Sequence, residues 1–143
     1  MAELIVALDV SSTNEVRAVL QRLPREVTFY KVGLELYSAE GPIVLSLLRD
    51  MCKRVFLDLK LHDIPRTVER AVAAAATHGV DLLTIHASGG RAMMAAAAAA
   101  AKSAPRGPPI LAVTVLTSMD ASDLADLGIQ RSPEQQVEAL GRL

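Results

Sequence analysis

The sequence has no tryptophan, only two tyrosines and two phenylalanines, one cysteine and almost no net charge. Each shortage excludes something. With so few aromatic rings there is no platform on which bases could stack. With 15 Lys and Arg against 16 Asp and Glu, there is no basic field to attract a polyanion or an anionic membrane. Neither nucleic acid nor membrane is therefore expected as a partner. A lone cysteine, Cys52, forms no disulfide within the chain, which suits a reducing, cytoplasmic setting. Its simplest reading is a small, partly buried side chain. The first apolar run, Leu4 to Leu8, lies between Glu3 and Asp9 and is too short for a signal peptide or a membrane span. No Cys/His set has zinc spacing, and no Gly-x-Ser-x-Gly elbow or P-loop is present. The Gly89-Gly90 pair is too weak by itself to define a phosphate loop.

What is there is rhythm. The chain, 143 residues and 51% hydrophobic, is long enough to bury a core as one domain spanning 1–143. Short apolar runs recur at Leu4–Leu8, Val27–Tyr30, Val55–Leu57, Leu82–Ile85 and Ile110–Val115. Their centres lie about 27 residues apart, with helical segments between them, as in repeated βα units on a parallel sheet. The helices are expected over 13–23, 42–51, 65–78 and 91–103. Ser11, Ser12 or Thr13 can cap the first, Asp63 followed by Pro65 can start the third, and Gly79 can end it. The alanine tract Ala95–Ala101 reads as an outer helix, because alanine is the best helix former. Arg106-Gly107-Pro108-Pro109 reads as a loop. Ser132-Pro133-Glu134-Gln135 carries a capping box, followed by an apolar stripe of Val137, Leu140 and Leu143. Five such units suit either an open parallel sheet or the first five-eighths of a (β/α)8 barrel.

Polar residues close or closely follow every apolar run: Asp9, Lys31, Asp58 with Lys60, His86, and Thr117 just past the fifth. Taken singly, each has a plain structural reading. Asp9 reads equally as a cap, Lys31 as a surface lysine, His86 as a backbone-bonded core histidine, and Thr117 as the start of a turn. Together they fall on one rim, the carboxyl ends of the strands, where parallel α/β folds carry their sites. The densest group is Asp58-Leu59-Lys60-Leu61-His62-Asp63-Ile64-Pro65. Alternation puts Asp58 and Lys60 on one face of a strand expected to be buried on both sides. Lys31, Asp58, Lys60 and Asp63 supply two charges of each sign. Interleaved in space, they neutralise one another and remain ionised although partly buried. A lysine held this way stays a cation, able to protonate or stabilise a developing carbanion.

These residues resemble the bacterial type of orotidine 5′-phosphate decarboxylase along essentially the whole chain. The carriers are Val6-Ala7-Leu8-Asp9, Lys31-Val32-Gly33-Leu34-Glu35, Phe56 through Pro65, Thr84 through Gly90, and Val115 through Asp120. The Asp-x-Lys-x-x-Asp core is common to a superfamily; its flanks His62 and Ile64-Pro65, with Lys31-Val32-Gly33 upstream, make it specific. The resemblance implies a (β/α)8 (TIM) barrel of which about five βα units are present. It also implies a homodimer with sites at the interface, and conversion of orotidine 5′-monophosphate to uridine 5′-monophosphate and CO2 without cofactor or metal. Carried over, Asp9 and Lys31 contact the ribose, Asp58 lies beside the substrate carboxylate and Lys60 delivers the proton. Thr117 contacts the pyrimidine, and Asp63, Ile64 and Thr67 reach the neighbouring subunit's site. His86 joins the substrate-binding set.

Two departures matter. Arg66 stands where the family usually has asparagine. The sequence also stops before the phosphate-gripping loop and late arginine that the family places in its last βα units, so the 143 residues alone are expected to have little or no activity. Two rival readings exist: a metal-dependent sugar-phosphate decarboxylase or aldolase of the same superfamily, and a non-catalytic half-barrel that self-associates. Lys31 weighs against the first, which tends to have an acid there.

Overall fold

A computed structural model describes residues 3–143; the first two residues of the expected 1–143 domain lie outside the described residues. Five parallel strands form one sheet in the order β1-β2-β3-β4-β5: β1 Val6–Ala7, β2 Phe29–Gly33, β3 Arg54–Leu61, β4 Leu82–His86 and β5 Ile110–Val113. Each strand pairs with its successor, so helices return the chain across one side of the sheet. They are α1 Thr13–Arg22, α2 Leu34–Glu40, α3 Ile43–Asp50, α4 Pro65–Thr77, α5 Gly90–Ser103, α6 Ala121–Asp126 and α7 Pro133–Gly141.

The core lies between sheet and helices. Tyr30 and Val32 of β2, Val55 and Leu57 of β3, and Leu83 and Ile85 of β4 are buried. They meet Val16 and Leu20 of α1, Val44 and Leu48 of α3, Val68 and Val72 of α4, and Met93 and Ala97 of α5 in one cluster. The helical residues recur at four-residue spacing, which keeps them on one stripe. Burying a single leucine or valine of this kind contributes about 1.5–3 kcal/mol.

The local signals act through identifiable bonds. Ser12 caps α1, its Oγ accepting from Glu15 N–H. Gly79, in the left-handed region at φ +71°, follows the end of α4. Ser132 and Gln135 form the expected capping box at α7. The alanine tract lies in α5, on the outside of the sheet against α4.

Several expectations are corrected. β1 is two residues long rather than five, and β5 ends at Val113, not Val115. β2 runs Phe29–Gly33 rather than Val27–Tyr30, and two short helices, α2 and α6, were not anticipated. Asp63 does not cap α4: Ile64 is the N-cap residue, and the Asp63 carboxylate accepts only from the Ile64 N–H beside it. Cys52 is exposed, on a left-handed backbone at φ 56° just past α3. Strand β3 is not buried on both sides. Val55 and Leu57 face the helices, while Phe56, Asp58 and Lys60 on the concave side are half-buried. The apolar stripe expected on the last helix is only partly covered: Leu140 is half-buried beside Leu124, and Leu143 lies past the end of α7. Val137 and Leu143 are exposed, and Gln136 is buried, its Oε1 accepting from Arg131 Nη1 at 3.1 Å.

Candidate active site

Parallel register builds the site. Lys31 pairs with Phe56 and Gly33 with Asp58, while Leu57 pairs with Leu83. The concave side therefore carries Lys31, Asp58 and Thr84 side by side, one from each of β2, β3 and β4. Asp58 is the hub, its side chain only 14% exposed. Its Oδ2 lies 2.9 Å from Lys60 Nζ and 3.9 Å from Lys31 Nζ. Lys31 Nζ is also 3.5 Å from the exposed Asp9 Oδ1. The Oδ1 of Asp58 accepts from the Thr84 hydroxyl at 2.9 Å, and that hydroxyl accepts from the Lys60 backbone N–H at 2.9 Å.

Lys60 is one of two non-glycine residues with positive φ among the described residues, at φ 50°. The β3–β4 register shifts between Leu57 and Leu61, so Lys60 lies within an irregular stretch of the ladder. A non-glycine residue held there costs roughly 1–3 kcal/mol, and such costs concentrate at working sites.

Above this layer the rings of His62 and His86 approach to 5.4 Å between centroids. The pKa of His86 lies below its ordinary 6.5, first because burial disfavours the imidazolium, then through repulsion from His62 and Lys60. Beside the pair lies an open depression of about 520 Å³ lined by His62, Asp63, Ile64, Pro65, Ser88 and Gly89. The Met93 side chain packs closely over Gly89: a Cβ there would lie 2.1 Å from Met93 Sδ, so the thioether would have to shift.

Of the nine residues expected from sequence, the structure joins Asp9, Lys31, Asp58 and Lys60 in one ion-paired chain. His86 stands at the end of the neighbouring strand. Asp63 is separate: three of the four charges expected to interleave, Lys31, Asp58 and Lys60, do so, and Asp9 takes the place of Asp63 as the fourth. Asp63, Ile64 and Thr67 are all exposed at the start of α4, and Ile64 is 67% exposed despite being apolar. Thr117 lies exposed in the turn beyond β5. Thr84 and His62 lie within the stretches that carry the resemblance but were not among the site residues expected from it. Thr84 was detectable in principle: it precedes His86 by two, hence shares its face, and parallel register sets it next to Asp58.

The sequence model described as "Orotidine 5'-phosphate decarboxylase / HUMPS family" matches residues 2–143. The chain is 47% identical over 140 residues to an orotidine 5′-phosphate decarboxylase of Chromohalobacter salexigens, covering 98% of this chain and 59% of the relative. It is 48% identical over 142 residues to one of Opitutus terrae, covering 99% and 61%. The crystal structure of orotidine 5′-phosphate decarboxylase from Lactobacillus acidophilus superposes with a TM-score of 0.88 at 35% identity, over 98% of this chain and 65% of that one. The chain thus spans about three-fifths of the length of the curated relatives it matches.

Proposed function

This chain belongs to the orotidine 5′-phosphate decarboxylase / HUMPS family, and from that premise we propose that it carries the catalytic half of a cofactor-free decarboxylase acting on orotidine 5′-monophosphate. The observation that carries the reading is the Asp58 carboxylate held between two ammonium groups, Lys60 at 2.9 Å and Lys31 at 3.9 Å. The C6–carboxylate bond breaks, CO2 leaves, and the electron pair stays on C6. The Lys60 ammonium stabilises that charge and transfers its proton to C6, giving uridine 5′-monophosphate; solvent then reprotonates the amine. Because Asp58 holds the Lys60 ammonium in place before substrate arrives, little reorganisation is needed as charge develops. Asp58 lies beside the substrate carboxylate, and Asp9 and Lys31 grip the ribose. His86 and Thr117 complete the pocket.

Asp63, Ile64 and Thr67 extend from this chain toward a second copy, completing its site in a homodimer; their shared exposure at the start of α4 supports that role. Arg66 lies exposed among them and adds a cation to that surface. The sugar-phosphate reading is disfavoured because the Lys31 ammonium, rather than an acid, lies beside Asp58. Among the described residues no helix is long and apolar enough to cross a membrane, and the setting we assign is cytoplasmic.

The test compares this chain alone with the same chain extended by the last two-fifths of the Chromohalobacter relative. Decarboxylation is followed by loss of orotidine 5′-monophosphate absorbance. The extended protein should turn over, the extended Lys60→Ala protein should lose at least about 10³-fold in kcat, and the chain alone should be nearly inert. Turnover unchanged by Lys60→Ala would overturn the assignment.

A further inference from the structure

We propose that Thr84 is a positioning residue that sets both the backbone of Lys60 and the carboxylate of Asp58. Its catalytic consequence rests on the decarboxylase reading; the positioning itself does not. A threonine hydroxyl has one proton and two lone pairs. The Lys60 N–H can only donate, so at 2.9 Å it occupies a lone pair of Thr84 Oγ1. The single hydroxyl proton is thereby left for Asp58 Oδ1, also at 2.9 Å. The two carboxylate oxygens are consequently distinguished: Oδ1 takes the hydroxyl, and Oδ2 faces the ammonium groups of Lys60 and Lys31.

The same hydroxyl answers a second need. The β3–β4 ladder is irregular between Leu57 and Leu61, and Lys60 turns left-handed within that gap. Its N–H finds a side-chain acceptor instead of a backbone carbonyl. Thr84 is 1% exposed, so no bulk water stands ready to replace it. One buried side chain therefore links the backbone of the proposed proton donor to the carboxylate that aims its ammonium.

Valine has the shape of threonine without the hydroxyl, and serine keeps the hydroxyl without the methyl. Amide hydrogen exchange of the 143-residue chain, read residue by residue by NMR, tests the positioning without any activity. In Thr84→Val the Lys60 N–H should exchange about tenfold or more faster, as one lost buried hydrogen bond allows. In Thr84→Ser it should stay near the parent rate, and the N–H of Leu83 should be unchanged in both. Should Thr84→Val fail to fold, Thr84→Ala serves the same comparison. Equal Lys60 exchange in parent and hydroxyl-free variants would overturn the proposal. In the extended protein, Thr84→Val should lower kcat about tenfold or more with KM nearly unchanged, and Thr84→Ser should restore it. A fall in KM-governed binding alone, or no rescue by serine, would refute a positioning role. If instead Lys60→Ala leaves turnover intact, it is the decarboxylase reading that fails, while the exchange experiment still decides what Thr84 holds.

Discussion

Replacing Lys60 by alanine and by glycine should reverse the usual order of those two residues in a strand. At an ordinary strand position glycine is less stable than alanine by about 0.5–1 kcal/mol, because it loses more freedom on folding. Lys60 is held at φ 50°. A residue with a Cβ is penalised by roughly 1–2 kcal/mol in the left-handed region, and glycine is not. Both variants lose the 2.9 Å contact between the ammonium and Asp58, so that loss cancels in the comparison. The difference that remains favours Lys60→Gly over Lys60→Ala by about 1 kcal/mol, or about 3 °C in Tm for a chain of this length. Leu59, next in the strand and without positive φ, is the control; there alanine should exceed glycine by about 0.5–1 kcal/mol. Thermal melts followed by circular dichroism, with urea titrations alongside, measure all four variants. If Lys60→Ala proves as stable as Lys60→Gly or more so, the backbone at this site is not strained and the reasoning fails.

Two further outcomes are expected. Gly107→Ala places a Cβ 1.7 Å from the Ala101 carbonyl oxygen, a backbone atom that cannot swing aside, and should lower stability by about 1–3 kcal/mol in urea; Gly141→Ala, with nothing within 4 Å, should not. The second concerns pH. Because the folded pKa of His86 lies below 6.5, the unfolded chain takes up that proton first as pH falls. The contribution of His86 is therefore complete above about pH 7 and declines as pH drops through 6.5, levelling off below the folded pKa. Stability measured from pH 8 to pH 5 should fall less steeply in His86→Asn than in the parent; parallel curves would exclude this assignment.

How much was legible in the sequence depends on how local the cause was. The βα rhythm, the Ser12 cap, Gly79 and the Ser132–Gln135 capping box are short-range signals, and they place their elements closely. Strand lengths were less legible, because pairing with a neighbour decides them: β1 shrinks to Val6–Ala7 where only β2 pairs with it. The Asp58–Lys60 pair followed from alternation, but the left-handed turn at Lys60 did not, since nothing in Leu59-Lys60-Leu61 marks a bulge. Thr84 was hidden for a related reason. A threonine within Leu82–Ile85 looks like an ordinary strand former until the register sets it against Asp58. Helix α7 shows the converse: of the expected stripe Leu140 is half-buried but Val137 is exposed, and the buried position falls to Gln136, a direction only packing could decide.

The sheet's strand order is also its order of synthesis. A chain leaving the ribosome adds each strand to an edge formed only about 25–30 residues earlier, so every closure is short and the entropy lost at each step is small. The ion-paired residues Asp9, Lys31, Asp58 and Lys60 all come from the first three strands or just beyond them. The most charge-dense part of the molecule can thus assemble early, while β5 still offers its unpaired edge. An edge of that kind is a template for any strand that comes within reach of it.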